Sequence, residues 1–223
     1  MASRATGPAR GLSFQQLIGD EGLDHLRSAD DTLARVIEQR GPLDLEGRRR
    51  GRPQDAYGAL LRSIVGQQLS VKAARAIYNR VMELFDGRTP TPEELLDADP
   101  DALRAAGLSR AKVNYVRSLA EHVISGELEL DRLEDLSDDE VARELVAVKG
   151  LGQWSVDMFL LFHLGRPDIL PVGDLGVRRA VERLYGLEGL PSAAELEALG
   201  ERWRPYRSLA SLYLWESLDN APD

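Results

Sequence analysis

The segment Val148-Lys149-Gly150-Leu151-Gly152-Gln153-Trp154-Ser155-Val156 constrains the fold more than any other stretch, because it forces a tight turn between two helical patterns. Ser137-Asp138-Asp139-Glu140 upstream is a capping box, and Val141, Leu145 and Val148 follow it at helical spacing. Gly150 should stop that helix. Two glycines around one apolar residue permit positive φ and a close backbone approach, and the apolar run from Trp154 to Leu164 then reads as a second, largely buried helix. The first N–H groups of a helix lack intrahelical partners and lie at the positive end of its dipole, so such a turn can hold a phosphate without a basic side chain. A plain helix corner closed by a glycine C-cap fits the same glycine spacing. Both readings stand on this segment alone.

The rest of the chain follows the same helical habit. Apolar periodicity predicts helices over 31–39, 56–68, 71–85, 93–97, 101–106, 111–125, 138–148, 154–164, 175–185, 193–200 and 206–218. Thr91-Pro92-Glu93-Glu94 and Ser192-Ala193-Ala194-Glu195 are two further capping boxes. No strand-like alternation persists and no solenoid repeat occurs, so the expected class is all-α. Low-complexity content is confined to the N-terminal tail and Arg48-Arg49-Arg50.

Composition removes several chemistries. The 223 residues, 43% of them hydrophobic, suffice for one large domain or two small ones. No uncharged apolar run is long enough for a membrane span, and the start Met-Ala-Ser-Arg-Ala-Thr-Gly-Pro has no hydrophobic segment, so a cytoplasmic location is expected. With no cysteine, disulfides, thiol nucleophiles, Cys-ligated zinc and iron–sulfur clusters are out. His25, His122 and His163 lack ligand spacing and read as surface or satisfied structural residues. Phosphate-binding Gly-Lys-Ser/Thr loops, Gly-x-Ser-x-Gly elbows and dinucleotide Gly-x-Gly-x-x-Gly turns are missing too.

A net charge of −9 looks wrong for a nucleic-acid partner until its distribution is considered. Residues 91–101 carry Glu93, Glu94, Asp97, Asp99 and Asp101 with no base, and residues 131–144 carry seven acids against Arg132 and Arg143. Three stretches carry bases and no acid: 61–81 with Arg62, Lys72, Arg75 and Arg80; 102–119 with Arg104, Arg110, Lys112 and Arg117; and 202–215 with Arg202, Arg204 and Arg207. Attraction to a phosphate backbone depends on such local charge rather than on the sum. Solvated helix faces account for the same pattern.

Asp174 is the isolated acid of interest. Pro171 and Gly173 break the chain before it, and Leu175 to Tyr185 resumes a helical pattern, so by default it is an N-cap. Its company with the glycine hairpin and the Gln67-Gln68-Leu69-Ser70 turn suggests more. The Gly-Leu-Gly-Gln-Trp-Ser-Val segment, the twenty-residue step from Trp154 to Asp174, the Asp-x-x-x-Arg run to Arg178 and that Gln turn together resemble the helix-hairpin-helix superfamily of DNA glycosylases. Within it they are most similar to the 3-methyladenine DNA glycosylase II branch. The likeness spans roughly residues 55–215, and the order of motifs makes it far more specific than a lone Gly-x-Gly.

The resemblance implies an arrangement and a reaction. Residues 1–54 would hold a tail and helices of a terminal lobe, 55–165 a central bundle with the hairpin, and 166–223 the helices completing the terminal lobe, with the active-site cleft between the two lobes. Asp174 would be the catalytic carboxylate. Trp154, Met158, Leu175 and Tyr206 would line the base pocket, and Gln68, with Leu69 as second choice, would fill the gap left by a flipped nucleotide. Lys149, Gly150, Gly152, Ser155, Arg178 and Arg207 would meet the DNA backbone. No side-chain metal site and no cofactor are implied, though a monovalent cation at the carbonyls of Val148 and Gly150 is left open. The expected partner is double-stranded DNA with damaged bases, bound by a monomer without an obligate protein partner.

The expected chemistry is water-dependent excision of alkylated purines of the 3-methyladenine and 7-methylguanine type, leaving an abasic site. Extruding a base costs a few kcal/mol and leaves a hole to fill. Breaking the N-glycosidic bond builds positive charge on the sugar, and an aspartate is ordinarily ionised at neutral pH. At about 4 Å and an effective dielectric near 20, one carboxylate contributes about 4 kcal/mol, roughly a thousandfold in rate. Relatives that also cut the backbone use a lysine where Trp154 stands, so no lyase step is expected. The chain departs from some relatives at Gly173, where they carry a second carboxylate, and at Met158 and Leu175, which are aromatic elsewhere. A non-catalytic helix-hairpin-helix DNA-binding protein, or a glycosylase for other damaged bases, remains as the alternative.

Overall fold

The computed structural model describes residues 20–44 and 52–218, so Arg48-Arg49-Arg50 and the N-terminal tail lie outside the described residues. Among these residues all regular structure is helical, with no strand. The helices are α1 (Asp20–Ala29), α2 (Asp31–Arg40), α3 (Ala56–Gly66), α4 (Val71–Glu83), α5 (Pro92–Asp97), α6 (Pro100–Ala105), α7 (Arg110–Ser125), α8 (Asp138–Ala147), α9 (Gln153–Met158), α10 (Leu175–Tyr185), α11 (Ala193–Gly200) and α12 (Arg207–Ser217). Short 3₁₀ turns occupy Leu130–Arg132 and Glu201–Trp203, and a π-helical turn at Phe159–His163 follows α9 directly.

Three differences from the sequence expectation have physical causes. Helix α1 was not expected: its polar sequence buries only Gly22 and Leu26, so it depends on packing against α2 rather than on a pattern of its own. The 56–68 helix stops at Gly66, because Gln67 turns to extended backbone and Gln68 takes a left-handed φ of 58°. The 154–164 helix begins at Gln153 and widens to π at Phe159, an irregularity that periodicity cannot register.

The chain forms two compact units, 52–159 and 20–44 with 160–218. In the first, α3 buries Tyr57, Leu60, Leu61, Ile64 and Val65 and packs against α4, α7 and α9, while α5 and α6 pack on α7. In the second, α12 is the central element. It is buried from Ser208 through Trp215, as a helix apolar all round must be, and touches α1, α2 and α10. Ser208 docks the segment that leads to Asp174. Ser208 Oγ donates to the Arg166 carbonyl at 2.6 Å and accepts from Ile169 N at 2.9 Å, and Ser211 Oγ donates to the Arg207 carbonyl at 2.8 Å within its own helix.

Asp30 ties that unit together. It caps α2 through Oδ1, which accepts from Thr32 N and Leu33 N, while Oδ2 accepts from Tyr185 Oη at 2.7 Å and from the buried Trp203 Nε1 at 2.9 Å. Burial, then the Asp30 carboxylate, pushes the Tyr185 phenol well above its ordinary range, so it stays a donor. Asp30→Ala removes a cap and orphans two donors, so urea unfolding should show a loss of about 3 kcal/mol.

Candidate nucleic-acid interface and carboxylate site

In the 52–159 unit the hairpin and the Gln turn are held against one another by a side chain. Helix α8 ends as expected, with Val148 extended and its carbonyl accepting from Leu151 N at 3.0 Å, and Gly150 has a φ of 95°. The positive φ is half of why glycine is needed there. The other half is Tyr115 of α7, whose ring occupies the space a Cβ would take. Gly152 has neither constraint, since a Cβ there would meet nothing within 4 Å. It caps α9 without a side chain.

Gln67 makes the link. Its Nε2 donates to the Gly150 carbonyl at 2.7 Å and to Ser155 Oγ at 3.0 Å. Ser155 is buried and turned inward onto Gln67. Lys112 Nζ donates to the Val65 and Gln67 carbonyls, both at 2.7 Å, closing the C-terminus of α3; burial pushes its ammonium below the usual lysine range. Gln68 is exposed in its left-handed conformation, and Leu69 beside it is 38% exposed. Trp154 is half-buried and Met158 is buried. Lys149 is exposed, as are Lys72, Arg75 and Arg110. Other bases of the acid-free stretches serve the fold: Arg80 Nε donates to the Ala106 carbonyl and Arg117 to that of Leu96, and Arg62 lies over the Tyr78 ring.

In the other unit Asp174 caps α10. Its Oδ1 accepts from Val177 N at 2.9 Å and from Trp215 Nε1 at 2.8 Å. The carboxylate is half-buried, while Leu175 next to it is 47% exposed. Tyr206 lies against the His25 ring, with centroids 5.3 Å apart. Two arginines expected at a DNA backbone have partners in the fold. Arg207 donates from Nε to Asp168 Oδ1 and from Nη2 to the Asp168 carbonyl, both at 2.7 Å, and Arg178 Nε donates to the Pro191 carbonyl at 2.8 Å.

Trp215 is the residue whose role sequence reasoning missed, while Gln67 bears out the reading of the Gln turn as a helix junction whose side chains satisfy backbone groups. Trp215 reads as core from its apolar stripe, and it is core at 1% exposure, yet its one polar atom ends on Asp174. A faint signal exists in Gly176, a glycine inside a helix. A Cβ there would lie 3.0 Å from Asp174 Oδ1 and 3.2 Å from Trp215 Nε1.

The chain belongs to the HhH-GPD superfamily of base excision DNA repair proteins, whose family profile matches residues 61–205. It is similar to DNA-3-methyladenine glycosylase 1 of Schizosaccharomyces pombe, 35% identical over 195 residues that cover 86% of this chain and 85% of that protein. The solved structure of that organism's 3-methyladenine DNA glycosylase in complex with abasic DNA superposes with a TM-score of 0.82 at 34% identity, covering 91% of this chain and 98% of the other. A DNA-3-methyladenine glycosidase from Bacillus halodurans matches with a TM-score of 0.73 at 39% identity, over 88% of each chain.

The two hairpin glycines should respond differently to the same change. Gly150→Ala combines a strained φ with overlap on Tyr115 and should lower unfolding free energy by about 3 kcal/mol, whereas Gly152→Ala should cost under about 1 kcal/mol. Urea denaturation of the two variants measures this.

Proposed function

We propose that the protein is a monofunctional DNA glycosylase that extrudes alkylated purines of the 3-methyladenine and 7-methylguanine type from double-stranded DNA and hydrolyses their N-glycosidic bond. The observation that carries the reading is Asp174 at the start of α10, its Oδ1 held by Val177 N and Trp215 Nε1, in a chain 35% identical to a yeast DNA-3-methyladenine glycosylase. That yeast organism's enzyme has been seen bound to abasic DNA, the product expected of this chemistry.

The hairpin holds a phosphate through backbone groups. Helix α9 starts at Gly152 without a side-chain cap and continues into the π turn, so its positive end is offered to an anion. Exposed Lys149 adds positive charge beside it. Gln68 enters the stack in place of the extruded nucleotide, and its left-handed backbone presents the side chain outward from the turn. Leu69 widens the wedge.

The reaction then needs one carboxylate. As the bond from C1′ to the base nitrogen breaks, its electron pair leaves with the base and the sugar becomes cationic. Asp174 stabilises that cation, water adds to C1′, and the water proton passes to the carboxylate or to solvent. A base that is already cationic leaves readily, which suits a catalyst with a single acid. Trp154 at the hairpin offers no amine for a Schiff base, so the abasic site is the product.

Two experiments test this reading. Asp174→Asn should lower the release of free 3-methyladenine from alkylated duplex about a thousandfold while duplex affinity changes little; wild-type release by the variant, or binding without release by the native protein, would refute it. Gln68→Gly keeps the left-handed turn, so stability should hold within about 1 kcal/mol. Its base release should fall on duplex DNA and be spared on single strands, where no hole opens.

A further inference from the structure

Asp174 and Asp30 are both helix N-caps that also receive a tryptophan N–H, but they are wired differently. At Asp30 the cap donors reach Oδ1 and the side-chain donors Oδ2, leaving a buried carboxylate engaged at both oxygens. At Asp174 the backbone donor Val177 N and the indole of Trp215 converge on the same oxygen, Oδ1, and the carboxylate remains half-buried. Capping needs the first of these bonds only. The second comes from a ring packed in the core, 1% exposed on the central helix α12 and stacked on Phe162 at 5.8 Å between centroids with 23° between planes. The sequence also makes room for it. Gly176 stands in a helix, where it is the weaker choice, and a Cβ there would lie 3.1 Å from Trp215 Cδ1, 3.2 Å from Nε1 and 3.0 Å from Asp174 Oδ1.

We propose that Trp215 is a positioning residue for the glycosylase reaction: its buried indole N–H fixes the plane of the Asp174 carboxylate, with Gly176 as the gap that admits the ring. The inference rests on Asp174 being the catalytic carboxylate. A preorganised anion opposes a developing sugar cation without having to reorient during the reaction, and the indole donor is one of the contacts that hold the Asp174 carboxylate in place.

The test is the preference for charge at the sugar. One duplex carries a neutral tetrahydrofuran in place of a nucleotide sugar, the other a protonated pyrrolidine, and the ratio of their Kd values at fixed salt reads the field of Asp174 alone. The native protein should prefer the cationic duplex. Trp215→Phe should reduce the preference about tenfold, the loss expected for a hydrogen bond to a charged group, with affinity for the neutral duplex unchanged. Gly176→Ala, which presses on the indole from the other side, should reduce it by a smaller factor and carries the test if Trp215→Phe fails to fold. Asp174→Asn should abolish the preference, and adding Trp215→Phe to it should cost nothing more. A merely structural tryptophan would weaken both duplexes equally and leave the ratio at its native value, which overturns the inference while Asp174 stands. A native ratio in Asp174→Asn removes the catalytic reading, and the inference with it.

Discussion

A helix cannot satisfy its own first N–H groups, and this chain is built from short helices of 6–16 residues, so the fold depends on what meets those groups. Nearly every start has a dedicated side chain: Asp30, Asp55, Ser70, Thr91, Asp99, Ser109, Ser137, Asp174 and Ser192 each accept from a backbone N–H of the helix they open. Helices this short are marginal alone, so the caps and the packed face act together. Against that pattern the uncapped start of α9 at Gly152 stands out. Tyr206 opens α12 without a side-chain cap too, but α12 is buried from Ser208 onward, whereas Gly152 and Gln153 are exposed, and that exposed, uncapped start is the physical basis for reading the hairpin as an anion site.

Asp174 serves two purposes with one side chain. As a cap it fixes where α10 begins, and in the proposed function the same carboxylate opposes the sugar cation. Helix α12 supports both uses. Ser208 anchors the segment before Asp174, Asp168 in that segment is gripped by Arg207, and Trp215 reaches the carboxylate itself. The apolar stripe of α12 thus does more than fill a core. It is the base on which Asp174, the carboxylate of the proposed function, is mounted, the placement that a precise site requires.

Much of this was legible in the residues. The three capping boxes at Thr91, Ser137 and Ser192 form as read, because the motif is local and its geometry is set within four residues. The all-helical class followed from periodicity, and the family followed from the order of hairpin, acid and Gln turn. Other features were hidden for definable reasons. Helix α1 has too few buried residues to show a stripe, and the π turn after α9 repeats with no signature that periodicity detects. Bases counted toward a positive face include Lys112, Arg80 and Arg117, whose groups are used on backbone carbonyls of the fold, since composition gives the charge of a side chain and not its partner.

The sequence by itself determined where the helices opened by capping boxes start, that a glycine turn separates α8 from α9 and which acid is isolated, because each depends on neighbours a few residues away. Only the tertiary structure decided that Gly150 faces Tyr115, that Gln67 joins the Gln turn to the hairpin across 83 residues, and that Trp215 reaches Asp174 across 41. Those contacts pair side chains from elements whose spacing in the chain carries no information about their distance. A buried polar atom must find a partner, but which one it finds is fixed by packing.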